Sequence, residues 1–183
     1  MARRRTAPED VEVPAGHEDD PEPATEDVAR AILVRKLEAS ARTRHELAEA
    51  LARKNVPDDV AGRLLDRFTE LGLIDDAAFA HAWVESRRRT KGLAPRALAA
   101  ELRRKGVADE LIRSAVDQVD VDDERESARA LVQRKLRSMG GLDHATAQRR
   151  LAGMLARKGY GPGVAFEVVR EELGGDLHEP HSI

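Results

Sequence analysis

The sequence predicts an all-α protein built from three tandem three-helix repeats that stack into an elongated, curved helical body. Three observations predict it. First, the pattern L-x-x-x-L-x-R-K-[GN]-[VY] occurs three times, over Leu47–Val56, Leu98–Val107 and Leu151–Tyr160, at offsets of 51 and 53 residues. The correspondence continues downstream, where Val60, Leu111 and Val164 take equivalent places. Second, hydrophobic residues make up 41% of the 183-residue chain but aromatics only 3%. The apolar residues are mainly Ala, Leu and Val, which suits helix–helix seams and not a thick aromatic core or a sheet. Third, Pro and Gly interrupt the helical periodicity at regular points, with Pro57, Gly72, Pro95, Gly140-Gly141 and Pro162 as the clearest breaks.

The recurring pattern reads as the end of a helix. Leucines four apart lie on one helical face, Arg and Lys in the last turn favour the negative end of the macrodipole, and Gly or Asn takes the left-handed position after it. The helices then follow in order. Residues 27–41 have apolar helical spacing and supply the first. Thr43 with Glu46 three residues on forms a capping box for a second helix running to Lys54. Pro57 sits in the first turn of a third, which ends near Leu71 and is closed by Gly72. The second repeat reads as helices over about 75–91, 95–105 and 108–119, with Pro95 opening the middle one. The third reads as about 123–138, 143–158 and 162–173. The expected organisation is therefore a leader over 1–26, repeats over 27–74, 75–121 and 122–174, and a flexible tail over 175–183. Three repeats, each about two helix diameters wide, would span roughly 60 Å.

Charge divides the chain unevenly. Residues 1–27 carry nine acids against three bases, −6, and contain Pro8, Pro14, Pro21 and Pro23 with almost no large apolar residue. Such a segment cannot bury enough surface to offset its ordering entropy, so disorder is expected. The whole-chain charge is −3, which leaves residues 28–183 at +3, from 28 bases against 25 acids. A mildly basic body points to an anionic partner. The densest basic stretch is Arg87, Arg88, Arg89, Lys91, Arg96, Arg103, Arg104 and Lys105, all in the central repeat, and it is the candidate contact face. The same cations could equally be solvated surface charges paired with Glu85 and Glu101. Against nucleic acid, each phosphate neutralised would add roughly 0.9 to the slope of log affinity against log salt on a duplex, or about 0.7 on a single strand.

Several function classes are excluded or disfavoured. With no cysteine there is no disulfide framework, thiolate zinc site or cysteine nucleophile. No apolar run is long enough for a membrane span, and the start of the chain lacks a signal peptide's apolar core, so a cytoplasmic protein is expected. His45-Glu46 begins like a zinc-protease helix, but Glu49 stands where the second histidine would be. Gly159-Tyr160-Gly161-Pro162-Gly163 lacks the lysine and hydroxyl of a phosphate loop and follows a helix, so a turn is expected there. No cofactor, metal or catalytic group is predicted. Phe79 and Trp83, four apart, are expected in the apolar seam of the central repeat and not as base-stacking platforms, and Tyr160, aligned with Val56 and Val107, is expected to pack.

The run Leu73-Ile74-Asp75-Asp76-Ala77-Ala78-Phe79-Ala80-His81-Ala82-Trp83-Val84, with Arg87-Arg88-Arg89, Lys91-Gly92 and Leu102-Arg103-Arg104-Lys105-Gly106-Val107, resembles the central signature of the RecX family. The likeness extends over about residues 27–174. It implies a negative regulator of RecA that lies along the groove of the RecA–single-stranded-DNA filament and lowers its extension, ATP hydrolysis, strand exchange and co-protease activity, within homologous recombination and the SOS response. The implied partner is the RecA filament, with single- or double-stranded DNA an open further contact, no membrane, and a monomeric chain. Asn55 departs from the glycine of the other two copies. A direct nucleic-acid-binding module and a helical scaffold for some other protein are the alternative classes.

Overall fold

The computed structural model describes residues 23–174, which form nine α-helices and, among the described residues, no strand. The first repeat holds α1 (Pro23–Ala39), α2 (Arg44–Ala52) and α3 (Asp58–Glu70). The second holds α4 (Asp76–Lys91), α5 (Pro95–Arg104) and α6 (Asp109–Val116), and the third α7 (Val121–Leu136), α8 (His144–Arg157) and α9 (Pro162–Glu172).

Local chemistry accounts for most boundaries. Thr43 caps α2 by accepting from the Glu46 N–H at 3.1 Å, while Glu46 accepts from the Thr43 N–H at 3.2 Å, completing the expected capping box. Asp75 caps α4 and Asp143 caps α8 through their side chains, and Pro95 and Pro162 open α5 and α9. Two boundaries differ from expectation by more than two residues. Helix α1 begins at Pro23, four residues before the expected start at 27, because a proline is well placed to open a helix and Glu26 in the first turn suits its positive end. Pro23 to Glu26 are therefore helical and not part of a disordered leader. Helix α6 stops at Val116 and not near 119, with Asp117 taking the cap. The remainder of the expected leader, 1–22, and the expected flexible tail, 175–183, lie outside the described residues.

Each repeat builds its own core. The paired leucines of the recurring pattern, Leu47 and Leu51, Leu98 and Leu102, Leu151 and Leu155, are all fully buried. Burying each contributes about 1.5–3 kcal/mol, and they are joined by Ile32, Leu33, Leu64 and Phe68 in the first repeat, Phe79, Val84 and Ile112 in the second, and Val132, Tyr160 and Val168 in the third.

Neighbouring repeats are joined by one recurring device: the end of each middle helix is seated on the start of the middle helix before it. The Lys105 carbonyl accepts from the hydroxyl of the fully buried Thr43 at 2.6 Å, and the Lys158 carbonyl accepts from the Ala94 N–H at 2.9 Å. Thr43 and Ala94 are the residues just before α2 and α5, the same repeat position 51 residues apart. The approach is close enough to forbid a side chain on the next residue. A β-carbon on Gly106 would overlap the His45 ring, and one on Gly159 would come within 2.5 Å of the Ala97 nitrogen. In the first repeat the same left-handed position is held by Asn55 at φ 55°, exposed, with no repeat before it among the described residues. Asn tolerates that backbone, and Gly is needed only where a repeat is to dock.

This separates two costs. Gly72→Ala, at φ 69° with nothing within 4 Å of the new carbon, should lose only the left-handed penalty of about 1–2 kcal/mol. Gly106→Ala and Gly159→Ala should each lose about 1–3 kcal/mol more through overpacking at the junction. Urea unfolding of the three variants checks this, and equal losses at all three positions would show that the close approach carries no weight.

Candidate functional site

The basic face of the central repeat is laid out by α4 and α5. The last two turns of α4 present Arg87, Arg88, Arg89 and Lys91, and α5 and the residue after it present Arg96, Arg103, Arg104 and Lys105. At its centre stands Glu101. Its carboxylate accepts from the Trp83 indole N–H at 2.9 Å and from Arg87 Nε at 3.1 Å, and Lys91 Nζ lies 3.7 Å away. The Trp83 ring stacks on Phe79 with centroids 5.6 Å apart, and both Arg87, at 3.9 Å, and Lys105 Nζ, at 4.3 Å, lie over its face. Phe79 is buried and Trp83 half-buried, so the pair does form the seam expected of it, and Trp83 also anchors two cations.

Lys105 belongs to the joint with the first repeat. Its ammonium donates to Glu46 at 2.7 Å, with both side chains about four-fifths covered. Partial burial by itself pushes the Glu46 carboxyl up, but the hydrogen bonds from Lys105 and from the Thr43 N–H, with the charges of Lys105 and Arg42, outweigh it and hold the group below its ordinary value. Beside this joint, Leu37, Leu73, Phe79 and Trp83 line an open cleft of about 500 Å3 between the first two repeats.

The joint with the third repeat is built around a buried hydroxyl. Tyr160 is buried, and its hydroxyl donates to the Gly92 carbonyl at 3.2 Å and bonds Ser127 Oγ at 3.0 Å. Burial pushes this phenol up, only partly offset by Ser127. Lys158 Nζ donates to the Lys91 carbonyl at 2.5 Å, and burial followed by the nearby charges of Arg134 and Lys91 holds its ammonium below the usual lysine value. Arg88 crosses the same joint to Asp123 at 3.1 Å.

The eight basic residues therefore fall into two sets. Arg87, Arg88, Lys91 and Lys105 are bound to Glu101, Asp123 and Glu46 and hold elements together. Arg89 and Arg103 are exposed, paired with Glu85 at 3.4 Å and Asp109 at 2.8 Å in contacts that solvent weakens. Arg96 and Arg104 are exposed and belong to no ion pair among the described residues. Sequence reasoning missed the acids that partner this stretch, Glu46 and Asp123, because they lie 59 and 35 residues away from their partners. It also missed the cations of the third repeat, whose signal was present as Arg134-Lys135, Arg149-Arg150 and Arg157 in a stretch with almost no acid.

Comparisons with known proteins converge. Three domain models match in order: "RecX, first three-helix domain" over residues 29–68, "RecX, second three-helix domain" over 75–116 and "RecX, third three-helix domain" over 122–169. The chain is 57% identical over 145 residues to "Regulatory protein RecX" of Streptomyces coelicolor, covering 79% of this chain and 77% of the relative. It is 44% identical over 179 residues to the protein of that name from Mycolicibacterium smegmatis, covering 96% and 95%. Among solved structures, the crystal structure of RecX from Lactobacillus salivarius superposes with a TM-score of 0.74 at 18% identity, over 81% of this chain and 96% of that one, which speaks to the fold.

The Glu46–Lys105 bridge gives a pH signature. Glu46→Gln should cost about 1–2 kcal/mol at neutral pH. The folded carboxyl titrates below its unfolded value, so its stabilisation is complete above the unfolded value and is lost as pH falls through the folded one. The gap between parent and variant should therefore close on acidification, which urea midpoints at neutral and acid pH will read. A gap that stays constant with pH would place the loss in packing and not in the charge.

Proposed function

The chain belongs to the RecX family, and from that premise we propose that it is a negative regulator of the RecA recombinase, acting by binding and not by catalysis. It lies on the RecA–single-stranded-DNA filament as a monomer and limits filament extension, ATP hydrolysis, strand exchange and co-protease activity, in the cytoplasm where that filament forms. The observation that carries this reading is the succession of all three RecX domains, in order, over residues 29–169.

The geometry supports a polymeric partner. Among the described residues, hydrogen bonds between repeats run only between neighbours, so the repeats form a row whose helix ends recur at a regular interval. The contact falls on the central repeat through its exposed cations: Arg96 and Arg104, which enter no ion pair among the described residues, and Arg89 and Arg103, whose exposed pairs with Glu85 and Asp109 are weak enough to exchange. Arg87, Arg88, Lys91 and Lys105 serve it indirectly, by fixing the helices that present the others. Arginine forks suit carboxylates and phosphates alike, so a protein filament that also carries DNA offers both kinds of acceptor.

Substoichiometric protein added to RecA on single-stranded DNA should lower ATP hydrolysis. Unchanged hydrolysis at an equimolar ratio would overturn the regulatory reading and favour a scaffold for a different protein. Within it, Arg89→Glu, Arg96→Glu and Arg104→Glu combined should raise the half-inhibiting concentration about tenfold, at roughly 0.5 kcal/mol for each exposed charge. Full inhibition by that triple variant would move the contact off the central repeat.

A further inference from the structure

The central and third repeats have equally basic stretches with opposite fates. Residues 127–166 contain eight bases and a single acid, Asp143. Asp143 is occupied as the cap of α8, accepting from the Thr146 N–H at 2.9 Å. Of the eight bases, Arg129 pairs with Glu171 and Glu172, and Lys158 is spent on the joint. Arg134, Lys135, Arg137, Arg149, Arg150 and Arg157 are all exposed and enter no ion pair among the described residues. Like charges gathered without counter-charges repel one another. The favourable ends of the helix dipoles explain only those in the last turns, Arg134 and Lys135 of α7 and Arg157 of α8. Arg149 and Arg150, in the middle of α8, have no such local reason.

Four of these cations border one open cleft of about 730 Å3 between the end of α7 and the face of α8: Lys135, Arg149, Arg150 and Arg157. Arg150 and Arg157 are two helical turns apart on one face, and Gly153 between them leaves a trough. The Arg157 guanidinium folds along it, with Nη1 3.5 Å from the point a β-carbon on Gly153 would occupy. Two turns span roughly 10 Å, the rise of about three successive phosphates along one strand. Met139, Leu142 and Met154 also line the cleft, and none of its lining residues is aromatic, so it offers no ring on which a base could stack. What such a cleft can grip is regularly spaced negative charge, irrespective of base sequence.

We propose that the α7–α8 cleft of the third repeat is a binding site for the sugar–phosphate backbone of DNA, with Lys135, Arg149, Arg150 and Arg157 as its phosphate contacts. The proposal rests on the regulatory reading above only for where DNA is met, and deepens it by giving the chain a DNA contact separate from its contact with recombinase. Four phosphate contacts on a single strand give a log–log salt slope of about −2.8, so affinity should fall about 50-fold between about 50 and 200 mM salt.

The test uses the full chain and a fluorescent oligothymidylate, without recombinase, read by anisotropy across that salt range. The parent should bind with the steep slope. Arg149→Glu, Arg150→Glu and Arg157→Glu combined should bind far more weakly at low salt and lose less than about threefold across the range, as expected for one remaining contact. The corresponding triple lysine variant should keep the steep slope, and matching thermal unfolding curves establish that all three proteins are folded. No binding by the parent, or a slope unchanged in the glutamate variant, overturns the proposal. RecA hydrolysis measured in parallel keeps the two readings apart. Inhibition by a parent that does not bind oligonucleotide sinks this site alone, whereas a parent that binds DNA through the cleft but leaves RecA unaffected sinks the regulatory reading alone.

Discussion

The whole arrangement depends on backbone meeting backbone where one repeat is seated on the next. Gly106 and Gly159 have no β-carbon, and that allows the carbonyls of Lys105 and Lys158 to reach Thr43 and Ala94. Each repeat is small and has a core of its own, so it is these contacts that fix how one module stands relative to another. The basic face is tied into them, because Lys105 and Arg88 pair with Glu46 and Asp123 of the repeats on either side.

The two joints share a position but not a chemistry. The first rests on an ammonium and a carboxylate, Lys105 and Glu46, flanked by the Thr43 hydroxyl and by the Arg44 N–H donating to Asp76 at 2.8 Å. The second rests on a backbone bond, the Tyr160 hydroxyl and the Lys158 ammonium on a carbonyl, with the Arg88–Asp123 pair at its edge. Lysine occupies the same place in both, yet in the second it caps a carbonyl and has no carboxylate. This is why charge counted along the chain misleads: in the central repeat distant acids absorb much of the positive charge, while in the third it stays outside.

How far the molecule was legible in its sequence follows from the range of the interactions concerned. Helix ends were readable because their causes are local: Thr43 and Glu46 three apart, Gly after Arg-Lys, Pro95 and Pro162 at first positions. The threefold repetition was readable because each copy solves the same burial problem with the same leucines. The pairing of Arg88 with Asp123 and of Lys105 with Glu46 was not, since only the docking of repeats brings those residues together. Asn55 read as a conservative change at a left-handed cap. The structure adds a reason no local rule contains, namely that glycine is compulsory only where another repeat lies behind it. The importance of Tyr160 was half seen, because packing follows from alignment with Val56 and Val107, but a hydroxyl bridging two repeats does not.

Seating a tail on a head, twice in the same sense, relates the repeats head to tail and not by a two-fold axis, so the row has an arrow. Among the described residues, its leading edge carries Asn55 and its trailing edge the start of α8, and the two are not interchangeable. An object with an arrow would fit in a single orientation on any filament that also has one, so under the proposed function the order of the three modules along the chain would decide which way round the protein faces.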